Sequence, residues 1–178
     1  MSGPSRAAQV LSQLPKGPVS GAEIGIWKGT MSASLLARPD LTLYMVDNWK
    51  GVPGLEACGF SEDDQIRNKA TARVKTEFAG NRAVILCMDS VVAAEMVPDL
   101  SLDFVFIDAD HSYSGVKSDI AAWLPNIKPG GLIGGHDYDN PRERNGKEVK
   151  RAVDEFAAEY GEHLDLGDGD TWFIQLRA

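Results

Sequence analysis

Cysteine is scarce: Cys58 and Cys87 are the only two, which is too few for a disulfide framework. Cys87 lies in the apolar run Ala83-Val84-Ile85-Leu86-Cys87-Met88 and is expected to be a buried thiol. Long apolar runs are missing as well, and none approaches the roughly 20 residues that span a bilayer. The opening residues, Met1-Ser2-Gly3-Pro4-Ser5-Arg6, carry no apolar stretch of the secretory kind. Together these absences point to the cytoplasm and away from the membrane. Positive charge is in deficit, with 18 Lys and Arg against 26 Asp and Glu and a net charge of −8. Such a field repels a phosphate backbone unless a local basic patch offsets it. The nearest basic cluster, Arg142, Arg144, Lys147, Lys150 and Arg151, is interleaved with Glu143 and Glu148. It reads as a solvated helix face, so a small-molecule acceptor is expected and nucleic acid is not. Repeats and low-complexity tracts are absent, and no linker divides the chain.

What is present is one domain's worth of chain, 178 residues with 43% hydrophobic content, enough for a sizeable core. Residues 1–18 form an N-terminal helix, Ser5 to Leu14, and its lead-in. Strands are expected at Val19 to Ile26, Leu41 to Val46, Ala83 to Met88, Leu102 to Ile107 and Leu132 to Gly135. Helices are expected at Thr30 to Ala37, Ser61 to Phe78, Ser90 to Val97, Tyr113 to Leu124 and Gly146 to Tyr160. Gly167-Asp168-Gly169-Asp170 reads as the turn of a closing hairpin. The alternation predicts an α/β fold of the Rossmann-like, doubly wound type: a mostly parallel sheet with a C-terminal antiparallel hairpin and helices on both faces. Asn48 to Phe60 lacks a clear period and contains several glycines, as active-site lids often do.

In open α/β sheets ligands bind beyond the carboxyl ends of the strands, and here those ends carry the polar residues. The first gives Glu23-Ile24-Gly25-Ile26-Trp27-Lys28-Gly29-Thr30, a glycine elbow between strand and helix. Its spacing is not the Gly-x-Gly-x-x-Gly that cradles a pyrophosphate. Glu23 would repel a pyrophosphate but could hold a cationic sulfonium or amino group. A plain turn with two glycines is the bland alternative. Asp47 ends the second strand, where it can take both ribose hydroxyls or simply cap a turn. Asp89-Ser90 closes the third and can edge an adenine or cap the next helix. The fourth and fifth ends give Asp108-Ala109-Asp110-His111 and Gly134-Gly135-His136-Asp137-Tyr138, which contain two of the chain's three histidines. Carboxylates from adjacent strand ends can share a divalent cation, and a histidine beside them can act as a general base.

Taken together, Glu23 to Gly29, Phe106 to Tyr113, Lys128 to Tyr138 and Glu148 to Phe156 resemble class I S-adenosylmethionine-dependent methyltransferases, in particular the small bacterial and phage methyltransferase 24 family. The likeness runs from about Ala22 to Leu176. It implies S-adenosyl-L-methionine as cofactor. Glu23, Gly25 and Gly29 would contact its methionine end with Ser32 assisting, Asp47 would bind the ribose, Asp89 and Ser90 would lie by the adenine, Asp108 would face the cofactor, and Ile26, Trp27, Thr30, Asn48 and Ala109 would also belong to its site. The metal-dependent relatives imply Mg2+ or another divalent cation on Asp108, His136 and Asp137, with His111 and Asp108 catalytic. Catechol-type O-methyltransferases have Asp-Asn where this chain has Asp137-Tyr138. Macrolide-sugar O-methyltransferases match better, although His136 stands where they have a carboxylate.

The expected reaction is methyl transfer to an oxygen of a small molecule, with the 48–60 loop, including Trp49 and Phe60, covering the acceptor. With no separate substrate domain, loops or a second subunit of a homodimer would complete the acceptor site. Two alternatives remain: an iron-dependent hydroxylase on the same fold, since Asp/His clusters also hold iron, and a cofactor-binding module without catalysis. A DNA amino-methyltransferase is disfavoured, because Asp137-Tyr138-Asp139-Asn140-Pro141 is not an Asp-Pro-Pro-Tyr motif.

Overall fold

A computed structural model describes residues 2–51, 55–140, 146–160 and 163–178. In chain order the elements are α1 (Gly3–Gln13), β1 (Val19–Ile24), α2 (Thr30–Leu36), β2 (Leu41–Val46), α3 (Glu62–Thr76), β3 (Ala83–Leu86), α4 (Ser90–Ala94), β4 (Leu102–Ile107), α5 (Tyr113–Trp123), β5 (Ile127–Gly135), α6 (Gly146–Tyr160), β6 (Leu164–Leu166) and β7 (Trp172–Gln175). The strands form one sheet in the order β3-β2-β1-β4-β5-β7-β6. β1 to β5 pair in parallel, while β7 is antiparallel to both β5 and β6. The strand order reverses between β1 and β4. At such a switch point the following connections leave to opposite faces, and in open α/β sheets it is where ligands bind.

Both faces of the sheet are buried, as a parallel sheet requires. One core holds Val116, Ile120 and Trp123 of α5 with Val149, Val153 and Phe156 of α6. The other holds Ala7 and Val10 of α1, Leu35 and Leu36 of α2, and Ala72 of α3. α3 starts on a capping box. The Ser61 hydroxyl accepts from Asp64 N–H, and the Asp64 carboxylate accepts from Ser61 N–H.

Four expectations are corrected. β1 stops at Ile24, two residues early, because Gly25 turns into the left-handed region at φ +88°. β5 begins at Ile127, so Pro129-Gly130-Gly131 is an irregular part of the strand, where the pairing with β4 shifts register, and is not a separate turn. Cys87 is exposed. Edge strand β3 ends at Leu86, and its residues are only half-buried. Trp49, placed in the lid, is instead a core residue, only 6% exposed. Residues 52–54 of that loop lie outside the described residues, as do Arg142, Glu143 and Arg144 of the basic cluster. No helix among the described residues is long and apolar enough to cross a membrane.

Candidate active site at the switch point

The elbow after β1 is held by Asp47. Its Oδ2 accepts from the N–H groups of Ile26 and Trp27 at 3.0 and 2.8 Å, and its Oδ1 accepts from Trp49 N–H at 2.8 Å. These bonds hold Trp27 and Trp49 at φ +51° and +44°, a costly conformation for a bulky residue. The Trp49 indole N–H donates to Trp27 O at 2.9 Å and closes the link. Trp27 is left 47% exposed and stacks on Phe60, with centroids 6.4 Å apart. Of the two lid aromatics, then, Phe60 stacks on the exposed ring of the elbow, whereas Trp49 bonds the elbow as a buried residue.

The glycines serve the protein's own packing. A Cβ on Gly25 would stand 2.1 Å from the Asp108 carbonyl oxygen, and one on Gly29 would stand 2.9 Å from Ala72 Cα. Gly25 thus lets the elbow cross the end of β4, and Gly29 lets α2 start against α3.

Glu23, near the end of β1, is 3% exposed and accepts from the Ser32 hydroxyl at 2.6 Å. Burial pushes its carboxyl up to about 8, although the Ser32 bond and the Arg6 charge oppose the shift. Thr30 is exposed and takes a bond from Lys75 Nζ, and Asn48 closes a local turn onto Lys50 N–H. At the end of β3, Asp89 caps α4 through Val91 N–H, and the Ser90 hydroxyl accepts from the Trp123 indole at 2.9 Å. Ser90 is therefore committed to the α5 core, and Ala109 is exposed beside Asp108.

The ends of β4 and β5 converge. His111 Nε2 lies 3.5 Å from Asp108 Oδ1 and 3.3 Å from Asp137 Oδ2. His136 Nδ1 lies 3.0 Å from Asp137 Oδ2 and 3.8 Å from Asp108 Oδ1. The Asn140 amide donates to Asp137 Oδ1 at 2.7 Å. Burial would raise the Asp137 carboxyl, but the bonds from His136 and Asn140 and the charges of His136 and His111 outweigh it and hold the group at about 2. Asp108, His111 and Asp137 each offer a ligand atom, all within 4.8 Å of one another. Two carboxylates and an imidazole suit a divalent cation, so these residues fit one. The compact set contains His111, whereas the metal expectation named His136.

One further residue belongs to this rim and has no motif to announce it. Arg6 of α1 donates from Nη1 to Asp108 Oδ2 at 2.7 Å.

The family model described as a methyltransferase domain matches residues 22–138. The chain belongs to the methyltransferase 24 family. The methyltransferase is of the class I, S-adenosylmethionine-dependent type. Its fold is similar to that of a Corynebacterium glutamicum protein (TM-score 0.72, 15% identity, 98% of this chain and 80% of that one). It is also similar to a TDP-rhamnose 3′-O-methyltransferase of calicheamicin biosynthesis (0.67, 15%, 97% and 78%). A third similar structure is a Bacillus cereus O-methyltransferase in complex with S-adenosylhomocysteine (0.63, 19%, 99% and 80%). No curated protein matches the sequence. The residues also fit the cofactor. The buried acid Glu23, next to the elbow, suits the cationic nitrogen in the amino-acid tail of S-adenosylmethionine.

Proposed function

We propose that this methyltransferase transfers the S-adenosylmethionine methyl group to an oxygen of a small-molecule acceptor, with a divalent cation held by Asp108 and Asp137. The observation that carries this reading is His111 Nε2, within 3.5 Å of carboxylates from two neighbouring strand ends on the rim that also bears the elbow. Two of the similar structures are O-methyltransferases, which supports the choice of oxygen.

In the in-line reaction the C–O bond forms as the C–S bond breaks. S-adenosylhomocysteine leaves as a neutral thioether, and the hydroxyl proton passes to the protein. The chain's part is largely positional. Glu23 and Ser32 hold the methionine end, and Asp47 fixes the elbow against the ribose. With three amide donors already on it, Asp47 has about one acceptor position left for a ribose hydroxyl. A bound divalent cation would lower the pKa of the acceptor hydroxyl. The cation would sit on the two carboxylates, and His111, beside it and not bound to it, takes the proton. The Nε2 atoms of both histidines are buried, and the His111 side chain is the more exposed of the two, at 26% against 11% for His136. His136 keeps Asp137 oriented. The acceptor enters beside Trp27 and Phe60.

Calorimetric titration with S-adenosylhomocysteine, with and without Mg2+, tests the reading. Binding that tightens with Mg2+ and loses this gain in Asp137→Asn is the expected result. Absence of binding, or oxygen uptake with iron in place of S-adenosylhomocysteine formation, overturns it.

A further inference from the structure

The rim is acidic, with Asp47, Asp108 and Asp137 on it, and this is awkward for a cofactor tail that carries a carboxylate as well as a cationic nitrogen. Such a carboxylate needs a fixed cation. Arg6 is placed to supply one. Ala7 and Val10 of α1 are buried at 1% and 0% exposure, so the helix that carries Arg6 is pinned. α1 abuts α2 so closely that a Cβ on Gly3 would stand 2.9 Å from Met31 N. Asp108 takes only Nη1 of the guanidinium. Arg6 Nε is buried and has no hydrogen-bond partner among the described residues.

A buried N–H without a partner is costly, and the Nε edge of a guanidinium is one of the two that grip a carboxylate through paired, parallel N–H bonds. We infer that Arg6 receives the α-carboxylate of the cofactor's methionine end, with Asp108 holding the opposite side of its guanidinium. This rests on the cofactor site proposed above and adds a binding residue to it. Glu23 then faces the amino and sulfonium side and Arg6 the carboxylate side, so the protein presents the inverse of the zwitterion. Asp108 ties the two halves of the site together, because the same carboxylate that orients Arg6 also reaches the histidine cluster.

The test compares S-adenosylhomocysteine with 5′-methylthioadenosine, which has the same nucleoside and thioether but no amino-acid tail. Both are titrated calorimetrically into the native enzyme, Arg6→Gln and Arg6→Lys. Arg6→Gln is expected to weaken S-adenosylhomocysteine at least tenfold and to leave 5′-methylthioadenosine within twofold. Arg6→Lys keeps the charge without the fork and is expected to lose several-fold for the first ligand and nothing for the second. Equal losses for both ligands would show that Arg6 only supports the fold. Unchanged S-adenosylhomocysteine affinity in either variant would also overturn the inference. A native enzyme that binds 5′-methylthioadenosine but not S-adenosylhomocysteine would sink the carboxylate contact alone, whereas one that binds neither would sink the cofactor reading beneath it.

Discussion

His111 Nε2 lies 3.3 Å from Asp137 Oδ2, although the two residues come from the ends of different strands. The parallel pairing of β4 with β5 brings Ile107 level with Gly135 and so carries both segments to one place. If His111 takes the acceptor proton, His111→Ala removes turnover while S-adenosylhomocysteine affinity stays within a few-fold. Single-turnover formation of S-adenosylhomocysteine, measured alongside calorimetry, checks this. Parallel loss of both would make His111 a support for the site. EDTA is expected to suppress the rate and Mg2+ to restore it.

Glu23 gives a proton signal. Burial holds its carboxyl at about 8, so near pH 7 the ligand-free enzyme keeps it mostly protonated. A cationic ligand favours the ionised form. Cofactor binding at pH 7 is therefore expected to release a proton, seen as a binding enthalpy that varies with the ionisation enthalpy of the buffer. Glu23→Gln is expected to abolish that dependence and weaken binding. An unchanged buffer dependence in the variant would assign the proton to another group.

Asp119 predicts a change in stability alone. It is buried in α5, and burial raises its carboxyl to about 6 from 3.8, with Ser90 opposing the shift. Between those two values the folded state keeps a proton that the unfolded chain has released, so stability falls as pH rises through that window and stays lower above it. Asp119→Asn removes the dependence. The variant is expected to be more stable at pH 8 by about 1–3 kcal/mol and no more stable below pH 4, as measured by denaturant titration. A gain of equal size at both pH values would contradict the assignment.

The two tryptophans of the elbow separate surface from core. Trp49→Ala is expected to cost about 3–5 kcal/mol of stability, as removal of a large buried aromatic does. Trp27→Ala, at an exposed position, is expected to cost under about 1 kcal/mol and to act on ligand binding instead. Gly25→Ala should be worse tolerated than either, since its Cβ meets the backbone of Asp108. Thermal melts of the three variants rank them.

Much of this was legible in the sequence because it is written in local pattern. β2, β4 and α6 fall where the apolar periodicity puts them. The acidic and histidine residues at strand ends declared themselves, since a sheet must bring its carboxyl edge together. What depends on contacts distant in the chain was not legible. Arg6 reaches Asp108 across 102 residues, and nothing in the spacing of α1 marks it. Trp49 looks like a lid residue until the Asp47 bonds turn it inward. Cys87 sits in an apolar run, but the run lies on an edge strand and outlasts it. Asp89 and Ser90 have the right place for an adenine contact, yet their side chains cap α4 and bond Trp123.

The most direct measurement is a crystal structure of the enzyme with S-adenosylhomocysteine and Mn2+, read in an anomalous difference map at the manganese edge. The account predicts a single peak between Asp108 and Asp137 beside His111, with the methionine end of the ligand lying between Glu23 and Arg6. A peak away from those carboxylates, or a ligand bound elsewhere than the β1–β4 switch point, would contradict it.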